Sequence, residues 1–161
     1  MRHLIGICLL SLLSFTAMAH GSGTGVPDKN GTDIQNNENM KQDTIRISAG
    51  GRTFTAVLVK NSSAEALLKL LAKGDVTIEM EDYARIEKVG SLGTQLPRND
   101  KPTVTGPGDL ILYQGHYFVI YYDHNSYTFT PLGKITDATQ RELKDALGSG
   151  DVTVTLSSDN Q

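Results

Sequence analysis

Tryptophan is absent from this chain, and its single cysteine, Cys8, sits inside an N-terminal apolar run. A lone cysteine makes no internal disulfide, so the fold must rest on its hydrophobic core. Basic clusters are missing as well: 15 Lys and Arg stand against 18 Asp and Glu, a formal net charge of −3 at pH 7. Such a chain has no electrostatic handle on nucleic acid or anionic lipid, which excludes nucleic acid as a partner. Histidines are few. His116 and His124 are separated mostly by one strand, roughly 25 Å at about 3.3 Å per residue, too far to share a metal ion. Asp123 and His124 are neighbours whose side chains point to opposite faces of a strand, unlike a base and its orienting acid. No G-x-S-x-G elbow occurs, and the serines fall in caps, turns and the tail. No catalytic residue, metal ligand or cofactor is assigned.

Only one long apolar run is present, residues 4–15, preceded by Arg2 and His3 and followed by Ala17-Met18-Ala19, an A-x-A cleavage site. It is shorter than the ~20 apolar residues that span a bilayer. Ile7 stands before Cys8 where a lipoprotein signal needs a small residue. A signal peptide is therefore expected over residues 1–19, with an exported chain, periplasmic or secreted, and no stable membrane insertion after cleavage. Residues 20–43 are rich in Gly, Asn, Asp, Gln and Thr and bury too little to offset their ordering entropy, so they read as a flexible linker. A folded domain is expected over 44–157 and a short tail over 158–161.

What the chain does have is aromatic density in one place. Five of its six tyrosines, 113, 117, 121, 122 and 127, lie in residues 106–135. Gly106-Pro107-Gly108-Asp109 is a turn, and 110–113 and 116–122 read as strands rich in β-branched and aromatic residues. A two-residue loop at Gln114-Gly115 would set Leu112 opposite Tyr117 and Leu110 opposite Val119. Both faces are apolar, so this hairpin is central to a barrel or sandwich. Upstream, 44–48 and 52–59 alternate as a first hairpin about Ala49-Gly50-Gly51. Residues 61–74 carry a helical stripe of leucines with a capping box at Ser62 and Glu65. Val76, Ile78 and Met80 alternate as a third strand, and residues 81–101 read as a long polar loop. Downstream, residues 123–126 are a turn and 127–131 a short strand. Residues 132–135 then lead to a second helix capped by Thr136 or Asp137. Ala138, Leu143, Ala146 and Leu147 face inward on that helix, and Val152, Val154 and Leu156 form a closing strand.

Glu87-Lys88, Leu96-Pro97, Pro107-Gly108-Asp109-Leu110, Leu112-Tyr113, Tyr121-Tyr122, Ser126-Tyr127-Thr128 and Leu132-Gly133-Lys134-Ile135 occur in this order. As a set they resemble the small bacterial cyclophilin-like domain family, over about Thr44 to Leu156. The resemblance implies a mainly β fold: a small closed cyclophilin-like β-barrel with two short helices at its ends. Prolyl isomerases of the cyclophilin type use an arginine followed by a phenylalanine and a glutamine, with a histidine and often a tryptophan. None of Arg46, Arg52, Arg85, Arg98 or Arg141 begins that pattern here, so the isomerase residues are not carried over.

The candidate ligand-binding residues are Tyr83, Glu87, Arg98, Tyr113, Asn125 and Tyr127. Glu87 is either a polar anchor in a tyrosine-lined groove or a carboxylate tied down to hold the 81–101 loop. Arg98 either clamps a ligand carboxylate or pairs with Asp100. The groove is expected between that loop and the central hairpin, taking a small molecule or an extended peptide. The alternative is an enzyme, a relic peptidyl-prolyl isomerase or an acid–base activity using Glu87.

Overall fold

The computed structural model describes residues 42–159. The expected signal peptide, nearly all of the expected linker and the last two residues of the tail lie outside them. Of the linker's end, Asp43 offers its carbonyl to the Leu58 amide at 2.8 Å.

Eleven elements follow in order: β1 (Thr44–Ala49), β2 (Arg52–Leu58), α1 (Ser62–Leu71), β3 (Val76–Tyr83), β4 (Glu87–Ser91) and β5 (Lys101–Thr105). They continue with β6 (Asp109–Tyr113), β7 (Tyr117–Tyr121), β8 (Asn125–Ile135), α2 (Gln140–Leu147) and β9 (Val152–Ser158). All strand pairings are antiparallel. The spatial order is β2-β1-β9-β3-β4-β7-β6-β8-β5, and β2 also pairs with β8. That last pairing closes the sheet into a ring, as the resemblance implied. Closure removes most free edges and encloses one core. The ring is tight where it closes: at Gly133, opposite Leu58, a Cβ would lie 2.4 Å from the Val57 carbonyl oxygen.

Period-two alternation sorts the central strands into two apolar sets. Leu110, Leu112, Phe118 and Ile120 point into the main core with Ile45, Ile47, Leu67, Leu71, Val154 and Leu156. Ile111, Val119 and Tyr121 point the other way and join Phe129 in a second, smaller cluster. The two-sided apolarity of the central hairpin is thus real.

Several local expectations are corrected. The β6–β7 loop has three residues, with Tyr113 opposite Tyr117 and Leu112 opposite Phe118, one step from the register a Gln114-Gly115 loop gives. Gln114 and Gly115 do take positive φ, but His116 then donates its amide to the Tyr113 carbonyl before β7 begins. The N-cap of α1 is Asn61, whose side chain accepts from the Ala64 amide, and Ser62 is already helical. The N-cap of α2 is Thr139, in a capping box with Glu142. Asp137 instead accepts from the Thr55 amide at 2.9 and 3.0 Å. Residues 125–135 are one strand, not a turn, a short strand and a lead-in. Pro131 is tolerated there because the register shifts between Leu110 and Ile111, leaving Leu132 as the extra residue of a bulge. Finally, 81–101 is not one loop. It holds the end of β3, a turn, all of β4 and only then the polar run to Asp100.

Candidate functional site

A groove of about 690 Å³ opens on the side of β4, β6 and β7 turned away from the main core. Its floor is the smaller apolar cluster. Phe129 of β8 is the hub, with its ring 5.5 Å from Tyr127, 5.8 Å from Tyr121 and 6.2 Å from Tyr113 between centroids. Tyr121 and Phe129 are buried, while Tyr83 and Tyr127 stand exposed at the rim.

Glu87 opens β4 and is held between two tyrosines, paired with Tyr83 on β3 and Tyr121 on β7. It is only 8% exposed, and its Oε2 has no hydrogen-bond partner among the described residues. Burial pushes its carboxyl above the ordinary value, only partly offset by hydrogen bonds from Tyr121 and Asn125. Asn125 also donates from Nδ2 to the Tyr121 hydroxyl at 3.1 Å. Burial, followed by the neighbouring Glu87, pushes the Tyr121 hydroxyl well up. Both groups therefore hold their protons to higher pH than they would in water.

The next residue points to the other face. Lys88 is fully buried, its Nζ 2.7 Å from Asp82 Oδ1 and 2.5 Å from the Gly150 carbonyl. Tyr122 donates to the same Asp82 oxygen at 2.5 Å. Burial raises the Asp82 carboxyl, but the bonds from Lys88 and Tyr122 outweigh it and hold the group below the ordinary carboxylate range. Lys88 thus answers Asp82, leaving Glu87 to the groove.

Five of the six candidates, Tyr83, Glu87, Tyr113, Asn125 and Tyr127, line this one groove. Arg98 does not. It lies in the polar run after β4, exposed and bonded to Asp100, whose carboxylate raises the guanidinium further. The groove's walls also differ from expectation: the β3–β4 hairpin and the start of β8 form them, not a long loop. The sequence reading missed Glu79 and Glu81, which line it from β3. The signal was present, since Ile78 and Met80 face the core and alternation then places Glu79, Glu81 and Tyr83 opposite. Phe129 carried no signal beyond being one aromatic in a short run.

Among the described residues no group of three or more His, Cys, Asp or Glu is placed to hold a metal, and no helix is long and apolar enough to cross a membrane. A model of the cyclophilin-like family matches residues 47–157. No curated protein matches the chain.

Proposed function

The chain belongs to the cyclophilin-like family, and from that premise we propose an exported, non-catalytic module that binds a small molecule or an extended peptide in the groove. The observation that carries this is convergence: residues from β3, β4, β6 and β8, as distant in sequence as Tyr83 and Tyr127, share one concave apolar surface. Its volume is in the range of small-molecule sites, about 300–1,000 Å³. Tyrosines supply that surface with apolar area and polar tips. The cyclophilin-type isomerases bring an arginine to the proline, and among the described residues no arginine lines this groove.

A thermal-shift screen of small molecules and short peptides tests the binding role. Tyr113→Ala and Tyr127→Ala should each weaken a hit by roughly 1–3 kcal/mol, as loss of an aromatic anchor does, with the fold intact. Hits that neither change weakens would move the site elsewhere. Mass spectrometry of the mature chain tests export: a start at His20 is expected, and an intact Met1 would refute it.

One observation favours the enzyme alternative. A buried carboxyl with a raised pKa and an unpartnered oxygen is what a general acid or base requires. Exchange spectroscopy on a proline tetrapeptide separates the two readings for isomerisation, whose barrier is about 18–20 kcal/mol. No acceleration is expected, and acceleration abolished by Glu87→Gln would establish the enzyme.

A further inference from the structure

We propose, resting on the binding role just given, that the groove selects an organic cation: an ammonium or guanidinium carried on an apolar stem. Four acidic residues line it, Glu79, Glu81, Asp82 and Glu87, with the Asp82 carboxylate turned to the other face against Lys88, and among the described residues no lysine or arginine does. Two of the four are already answered. Asp82 holds Lys88, and Glu79 accepts from the Thr153 hydroxyl at 2.8 and 3.0 Å. Neither Glu81 nor Glu87 has a Lys or Arg partner among the described residues. Glu87 is the decisive one, because its Oε2 is buried, lacks a hydrogen-bond partner among the described residues and belongs to the groove wall. A buried acceptor without a donor is costly, and a charged N–H is the donor that relieves it most.

The walls agree with that charge. Tyrosine faces attract a cation that comes within about 6 Å of the ring centroid. Tyr83 and Tyr127 stand at the rim, 65% and 61% exposed. Phe129 and Val119 offer the stem an apolar floor. An anion would instead enter facing uncompensated carboxylates, and a neutral stem alone would leave Oε2 unpaired. The shared ligand chemistry has two sources, a free amine or the Lys or Arg side chain of a peptide.

The experiment is an NMR titration of the full chain at low salt with two probe series. One is 2-phenylethylamine with neutral 2-phenylethanol and anionic phenylacetate. The other is the capped peptide acetyl-Ala-Phe-Lys-Ala-amide, with norleucine or Glu in place of Lys. At least one cationic probe should shift groove amides and bind about tenfold tighter than its neutral counterpart. About 0.5 M salt should weaken it. Glu87→Gln and the exposed Glu81→Gln should each weaken the cationic probe several-fold and narrow its advantage over the neutral one. Binding by the amine alone assigns a small-molecule source, and by the peptide alone a peptide source. Cationic and neutral probes binding equally would overturn the inference while leaving the groove a binding site. No shift in the groove with any probe would overturn the binding role itself.

Discussion

Glu87 and Lys88 are adjacent on one short strand and show what a half-turn of pleat does to two charges. Lys88 enters the main core and finds Asp82, Tyr122 and the Gly150 carbonyl. Glu87 enters the groove and keeps one oxygen without a partner among the described residues. The consequence for stability has a definite sign. Burial lifts the native Glu87 carboxyl above its ordinary 4.5, so between that value and the native pKa the folded state binds more of this proton than the unfolded chain does. Stability from this group is present at acid pH and is lost as pH rises through the native pKa. Glu87→Gln should therefore gain on the native protein between pH 4 and pH 8, by about 1–3 kcal/mol, the cost of a buried unsatisfied group. Urea unfolding at both pH values measures it, and a gap that does not widen with pH would contradict the assignment. Lys88 behaves oppositely. Lys88→Met leaves Asp82 without its cation and should cost about 3–5 kcal/mol. Adding Asp82→Asn should recover part of that loss, because the uncompensated charge is then gone. Equal destabilisation of the single and double variants would show that packing, not charge, sets the cost.

At the scale of elements, legibility followed turn chemistry. The β1–β2 turn is Gly50-Gly51, with φ of 56° and 75°, and the β6–β7 turn uses Gln114 and Gly115 at 51° and 79°. Glycine marks both, so both hairpins were readable in the sequence. The β3–β4 turn takes the same backbone form with Ala84 and Arg85 at φ of 53° and 58°, and Ile86 donates to the Tyr83 carbonyl just as His116 does to Tyr113. Without a glycine, and with Glu-Lys opening the strand that follows, this hairpin read as a polar loop. That concealed one wall of the groove, although Tyr83 and Glu87 themselves were named. The helices were legible from their leucine stripes and alanines, while their caps were displaced because several capping residues stand side by side in each case. The strained turn is also a place for improvement. Replacing Ala84-Arg85 with Asn-Gly suits positive φ at both positions, and should stabilise the domain by about 0.5–1 kcal/mol. The denaturation midpoint reports it, and an unchanged or lower midpoint would mean that the Ala84 and Arg85 side chains make contacts worth more than the strain.

For the whole molecule, closure was expected from the family resemblance, since the two-sided apolarity of the central hairpin left a barrel and a sandwich equally open, and the site of closure could not be found from either. β8 changes partners along its length: residues 125–129 run beside β5, and residues 133–135 cross to β2. The bulge at Leu132 is what lets one strand serve both roles, since the extra residue re-aims the chain after Pro131. The first half of β8 then supplies Asn125, Tyr127 and Phe129 to the groove, while the second half seals the ring. Groove and closure are thus mechanically linked through a single strand. At Gly133, on the closing seam, a Cβ would come within 2.4 Å of the Val57 carbonyl oxygen and 3.0 Å of the Leu58 Cα. Backbone is there on both counts, so no side-chain rotation relieves the clash. Gly133→Ala should force β2 and β8 apart and cost about 1–3 kcal/mol or somewhat more, as overpacking does. Amide exchange should rise at Val59, whose N–H is bonded to the Leu132 carbonyl, and along 56–58, while β3–β4 amides remain protected in proportion to global stability. Uniform loss of protection would mean that the ring opens only by complete unfolding. Wild-type stability would show that closure at Gly133 is looser than the backbone geometry requires.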